Sequence, residues 1–232
     1  MELAEINLSG PVGNETRRVW YEPVAEPEAV PLCLFLDAEL YLDRVEAANV
    51  IDQLRGVGRF KRHRCVFVSS GSSALRHRDY TCHAGYTRFL TECVVPEFGR
   101  SATSMHTLVG LSLSGLAAAF VALQHSAIFS TAICQSPSAW WEREWLRRHL
   151  PGAKRTAARF WISVGDGETE SDVRHAPTNM YQGAPQLDSC RRLAESLRAI
   201  GADVRFNQFA GGHDTACWRA ELPDALMWAG EI

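Results

Sequence analysis

Long apolar runs are missing from this sequence. None approaches the roughly 20 residues that a membrane-spanning helix requires, so no membrane association is expected. An excess of one charge is missing too. The 24 Lys and Arg residues stand against 27 Asp and Glu, a formal net charge of -3. That balance argues against nucleic acid or an anionic lipid surface as a general partner. The opening MELAEINLSG has no basic segment followed by an apolar one, so no secretory signal is read there, and a cytoplasmic location is expected. Seven cysteines are present, yet no C-x-x-C pair occurs. Several lie in apolar runs such as PLCLFLD, RCVFVSS and TAICQS. They are expected as reduced, mostly buried thiols, not as a disulfide framework or a zinc site, and no metal or cofactor is expected. Internal repeats, low-complexity tracts and linker-like composition breaks are also missing. Residues 1–232 are therefore expected to form one domain, long enough to bury a sizeable core.

What is present is an alternation of short apolar runs with helical periodicity. TRRVWYEPV resembles an edge strand. VPLCLFLDA, HRCVFVSSG, HTLVG, STAICQS, RTAARFWISVG and DVRFNQFAGG are strand candidates, several of them bounded by turn residues. YLDRVEAANVIDQLRGVG, AGYTRFLTECVVPEFG, SGLAAAFVALQHS, LDSCRRLAESLRAIG and HDTACWRAELPDALMWAG are helix candidates. Such alternation implies an α/β fold with a mostly parallel sheet, helices on both faces, and a site at the carboxyl ends of the strands. Two basic clusters, GRFKRHRC (58–65) and LRHRDY (75–80), suit either a solvated face or an anion-recognising rim.

The stretch VGLSLSGLAAAF places Ser112 between an apolar strand and an alanine-rich helix. A serine on such a turn exposes its hydroxyl above the sheet, and the backbone N–H of Leu113 points where an oxyanion would form. The G-x-S-x-G pattern is imperfect, because Ser114 stands at the second glycine position and Gly115 follows. Ser114 is a rival nucleophile or a helix cap, and a capped serine-glycine turn would by itself account for the motif.

Of eight histidines, His213 follows a strand and two glycines and precedes a helix. That puts it at the same sheet edge as Ser112, whereas His125 sits in a helical pattern and His63 and His77 belong to the basic clusters. The loop after RFWISVG carries Asp166, Glu168 and Glu170. Any of these carboxylates could hold the imidazole, and Glu168 is the preferred one. Serine, then acid, then histidine is the chain order of an α/β-hydrolase.

These residues, with further motifs, resemble the enterochelin esterases, within a wider esterase group that includes feruloyl esterases and mycolyltransferases. FLDAELY (35–41) resembles the family's leucine-aspartate-glycine stretch, with Ala38 at the glycine. RHRDYTCH supplies Arg76, Asp79 and Cys82 as matches. CQSPSAWW supplies Gln135, Ser136, Ser138, Trp140 and Trp141. GGHDTACWR carries His213, Trp218 and Arg219.

The resemblance implies an α/β-hydrolase fold and a serine esterase acting on ester or lactone bonds. Ser112, His213 and Glu168 would be catalytic, with the Leu113 and Glu39 N–H groups as the oxyanion hole. It implies a small-molecule substrate, a catecholate siderophore with or without its iron. Trp140, Trp141 and Trp218 would stack on catechol rings, and Arg76 and Arg219 would pair with catecholate. The family's cytoplasmic enterochelin esterases carry an additional N-terminal domain that has no counterpart in these residues. A thioesterase or acyltransferase using the same three residues is the alternative activity.

Overall fold

A computed structural model describes residues 1–10, 15–24, 30–60, 63–99, 105–150 and 156–230. Lys61 and Arg62 of the first basic cluster and parts of residues 21–31 lie outside the described residues. An eight-stranded sheet organises the rest. Its strands are β1 (Ala4–Ser9), β2 (Thr16–Tyr21), β3 (Leu32–Leu36), β4 (Arg64–Val68), β5 (His106–Leu111), β6 (Phe129–Gln135), β7 (Arg159–Gly165) and, after the β8–β9 hairpin described below, β10 (Asp203–Phe209). The spatial order is β1-β2-β4-β3-β5-β6-β7-β10. β2 pairs antiparallel with both β1 and β4, and every other pairing is parallel.

The central strands are mostly apolar because both of their faces are covered. All residues of β3 and β5 are buried. Alternate side chains of β3 enter different cores: Leu32, Leu34 and Leu36 join one, and Cys33 and Phe35 join the other. The first core is roofed by α3 (Ser73–Tyr80), α4 (Ala84–Phe89), α5 (Val95–Phe98), α6 (Ser112–Gln124), α7 (Trp141–Arg148) and α8 (Gln186–Ala199). The second is closed by α1 (Ala38–Asp43), α2 (Ala47–Gly56) and α9 (Thr215–Ala229). An α/β fold with a mostly parallel sheet is thus present as expected.

Local departures have physical reasons. The run expected as one helix over 41–58 is two, because Glu46 adopts φ 55° and the chain turns between α1 and α2. Helix 84–98 contains a π turn at Leu90–Val94. β1, not β2, forms the sheet edge, and its exposed side chains alternate with half-buried ones. α3, α7 and a hairpin of β8 (Val173–His175) and β9 (Met180–Gln182) are additions to the expected elements.

Candidate active site

Ser112 sits where β5 becomes α6, with φ 52°. This left-handed backbone is costly for a non-glycine residue and lifts the side chain above the sheet. The turn is tight enough that a Cβ on Gly110 would overlap the Ser114 carbonyl, so glycine is required there. Ser114 is buried, and its hydroxyl accepts from the Leu111 N–H at 3.0 Å and lies 2.7 Å from the Leu111 carbonyl. It caps the helix and is not presented to a ligand. At the next position Gly115 lies close to Pro137, whose Cα would stand 3.2 Å from an added Cβ.

His213 lies on the loop after β10, just before α9. Asp214 caps α9, accepting from the Ala216 and Cys217 N–H groups at 2.9 Å each. Glu168 lies on the loop after β7, the strand parallel to β10, with Gly165 in register with Phe209. The two loops interlock through glycines. The Gly167 N–H donates to the Gly211 carbonyl at 2.8 Å, and a Cβ on Gly165 would overlap that same carbonyl.

The three side chains meet. Glu168 Oε2 lies 2.6 Å from His213 Nδ1, and His213 Nε2 lies 2.9 Å from Ser112 Oγ. A carboxylate only accepts, so Nδ1 carries the ring proton and Nε2 is left to accept from the serine hydroxyl. Glu168 is 6% exposed while His213 reaches the surface, so the acid is dry and the base accessible. The neighbouring carboxylates do other things. Asp166 Oδ1 accepts from the Gly211 N–H at 2.9 Å and clasps the histidine loop. Glu170 lines the cavity beside the site.

The second oxygen of Glu168 is held as firmly as the first. Oε1 accepts from the Gly165 N–H at 2.7 Å and from Ser136 Oγ at 2.6 Å. The Ser136 hydroxyl in turn accepts from Trp218 Nε1 at 3.0 Å, and the Trp218 ring stands edge-on to His213 with centroids 4.8 Å apart. Ser136 is fully buried and has φ 43°. Sequence reasoning matched Ser136 to a motif without giving it this task. The signal available was a small hydroxyl residue directly after a strand and before Pro137.

Beneath this lies a second buried polar chain. Tyr41 donates to Gln135 Oε1 at 2.9 Å, and the Gln135 amide donates to the Trp218 carbonyl at 2.9 Å and to Glu221. Trp161 Nε1 also donates to Glu221. Burial pushes the Glu221 carboxyl up to about 7, opposed by these donors.

Ser112 and His213 open onto a cavity of about 550 Å³. Arg76, Trp140, Ser138, Gln186 and the β8–β9 hairpin line it. Leu113 lines it as well, at the first turn of α6, where backbone N–H groups have no intrahelical acceptor. Glu39 lies in the first turn of α1, directly after β3, and β3 is the parallel neighbour of β5. Its side chain turns away to Ser69 and Ser70.

The expected binding residues are only partly gathered here. Trp140 reaches the cavity, but one face of its indole is stacked on His175 at 4.8 Å and 8°. Trp141 packs against the first core and tilts against Trp145. Trp218 is buried with its N–H engaged by Ser136. Arg219 joins Glu46 and the Arg44 carbonyl across the α1–α2 corner. None of these three is among the residues that line the cavity. Arg76 does line it, gripping Asp37 through Nε–Oδ1 at 2.8 Å and Nη2–Oδ2 at 2.6 Å. In the second basic cluster Arg78 pairs with Glu15 and Asp79, so Arg76 and Arg78 both bind carboxylates of the protein.

A protein-family model described as "Putative esterase" matches residues 13–229. An iron(III) enterobactin esterase of Dickeya dadantii is 26% identical over 238 aligned positions, covering 91% of this chain and 51% of the relative. The chain therefore spans about half the length of the curated relatives it matches. The crystal structure of the enterobactin esterase from Shigella flexneri in the presence of enterobactin superposes with a TM-score of 0.83. It is 21% identical and covers 99% of this chain and 58% of that one. A ferulic acid esterase superposes with a TM-score of 0.73 at 17% identity, covering 98% of this chain and 97% of its own. Likeness at that identity speaks to the fold, which is the α/β-hydrolase type. With the family model running over nearly its whole length, the chain belongs to this esterase family.

Proposed function

We propose that the chain is a serine esterase that opens ester or lactone bonds of an aromatic, catecholate-type substrate. The observation that carries this reading is the pair of hydrogen bonds joining Ser112 to His213 and His213 to Glu168 at the cavity. The names of the enterobactin esterase relatives supply the substrate class. In this reading Nε2 of His213 takes the proton as Ser112 Oγ attacks the ester carbonyl. Glu168 holds the tautomer and stabilises the imidazolium. The N–H groups of Leu113 and Glu39 receive the oxyanion, each such donor contributing about 3 kcal/mol to the transition state. His213 then protonates the leaving alkoxide, and water enters with His213 as base to release the acyl group from Ser112. The cysteines described as free thiols suit the reducing cytoplasm, and no described helix is long and apolar enough to cross a membrane.

The test is hydrolysis of a tris-catecholate trilactone followed by mass spectrometry, with Ser112→Ala as the control. Stepwise appearance of linear trimer, dimer and monomer, reduced at least ~10³-fold in the variant, supports the reading. Hydrolysis of a simple activated ester without trilactone opening keeps the esterase and removes the siderophore. Failure of a fluorophosphonate to label Ser112 removes both.

A further inference from the structure

The relatives are named for an iron(III) complex, and an iron(III) tris-catecholate is a polyanion. The charge around Ser112 does not match one. Among the described residues lining the cavity, Arg76 is the sole permanent cation, and Glu168 and Glu170 line it as carboxylates. The guanidinium of Arg76 is also gripped in bidentate fashion by Asp37, a carboxylate that is 1% exposed. A buried carboxylate at that distance offsets most of the field the arginine would otherwise send into the cavity. Arg219, the other arginine expected to meet an anion, faces Glu46 outside the cavity. Glu168 is tied to His213, so Glu170 remains as an unpaired negative group on the wall. The rest of the wall is uncharged: polar groups such as Ser138 and Gln186, and an apolar part made by Trp140, backed by the stacked ring of His175, with Met180 and Pro177 of the hairpin segment.

From this we propose that the site selects an uncharged acyl group and discriminates against polyanionic esters, so that the trilactone is cleaved in its metal-free form. Free catechol hydroxyls keep their protons near neutral pH, as phenols do, and present no such charge. The proposal rests on the esterase reading above, and its discrimination is electrostatic in origin. Glu170 is the wall residue that enforces it.

The experiment compares kcat/KM for a nitrophenyl benzoate and for its disulfonated counterpart, each divided by its rate of hydroxide hydrolysis to remove intrinsic reactivity. The neutral ester is expected to be favoured by at least about tenfold at low salt, with the ratio shrinking as salt is added. Glu170→Arg is expected to shrink the same ratio several-fold, and reading the ratio cancels any general loss in that variant. Binding of metal-free and gallium(III)-loaded trilactone to Ser112→Ala protein, read by tryptophan fluorescence, makes the comparison without turnover. Tighter binding of the metal-free form supports the proposal. Equal ratios, a ratio indifferent to salt and to Glu170→Arg, or tighter binding of the loaded trilactone overturns it. Absence of turnover on the neutral ester sinks the esterase reading instead, and the binding comparison still decides this one.

Discussion

Ser136→Ala tests whether the geometry behind Glu168 matters to His213. The substitution deletes the hydroxyl that donates to Glu168 Oε1 and accepts from Trp218 Nε1. A hydrogen bond to a charged group contributes about 1.5–3 kcal/mol, and an orphaned buried indole N–H costs about 1–3 kcal/mol. The folded state should therefore lose about 3 kcal/mol, measured as a fall in denaturant midpoint at unchanged slope. The effect on catalysis is smaller, because Gly165 N–H still holds Oε1 and Oε2 still meets His213. About a tenfold fall in kcat is expected with little change in KM, since Ser136 touches Glu168 and not the substrate. Ser136→Gly separates the hydroxyl from the backbone. Glycine relieves the strain at φ 43°, so it should be more stable than the alanine variant yet equally slow. Full activity in both variants would refute the idea that Ser136 orients Glu168.

Glu168→Gln should lower kcat at least ~10³-fold, because an amide can hold the wrong imidazole tautomer. Asp166→Asn and Glu170→Gln should each cost less than about tenfold with a neutral ester, and steady-state kinetics on the three variants identifies the acid. Ser114→Gly completes the glycine pattern around Ser112 but removes the cap on α6, so it should cost about 1–2 kcal/mol in chemical denaturation while turnover persists. Glu221 gives a pH signature in stability. Its folded carboxyl titrates at about 7, above its unfolded value. The folded state thus holds an extra proton between those values, so this contribution is full below the unfolded value and is lost as pH rises through about 7. Thermal unfolding from about pH 5 to 8 should show the native protein losing about 3 kcal/mol that Glu221→Gln does not lose.

The central sheet was legible because its strands are buried on both faces and so are mostly apolar. β3, β4 and β7 fall within the runs read as strands, and β5 and β6 each run one residue beyond theirs. β1 was not, since its residues alternate between half-buried and exposed and it is held by pairing with β2 more than by its own apolarity. The β8–β9 hairpin escaped for the same reason: three-residue strands carry no period, and they exist through their mutual register. The break at Glu46 is a backbone choice that a helical pattern conceals. In the site, the order serine, acid, histidine could be read because each residue follows a parallel strand. The choice among Asp166, Glu168 and Glu170 could not, because it depends on which carboxylate the Gly165–Gly211 contact aims at the imidazole.

The arginines and tryptophans show where residue type alone leaves a role open. Both kinds of side chain suit an anionic aromatic ligand, and both equally suit the interior bonds that hold a site's loops. Trp218 has one indole N–H, and Ser136 takes it. Arg219 lies at the surface, yet its guanidinium fixes the α1–α2 corner through Glu46 and the Arg44 carbonyl. Arg76 lines the cavity, and its Nε and Nη2 donate to Asp37, the residue that opens α1 beside the proposed oxyanion site. Tyr80 accepts from the Asp37 N–H at 2.9 Å, so that turn is held from its backbone as well as its side chain. These bonds tie Arg76 to the turn that carries Glu39. Losing the arginine would leave a buried carboxylate unpaired, which is costly in itself. Arg76→Gln should therefore lower kcat and stability for a neutral ester, whereas a residue that only bound an anionic acyl group would leave neutral-ester kcat untouched.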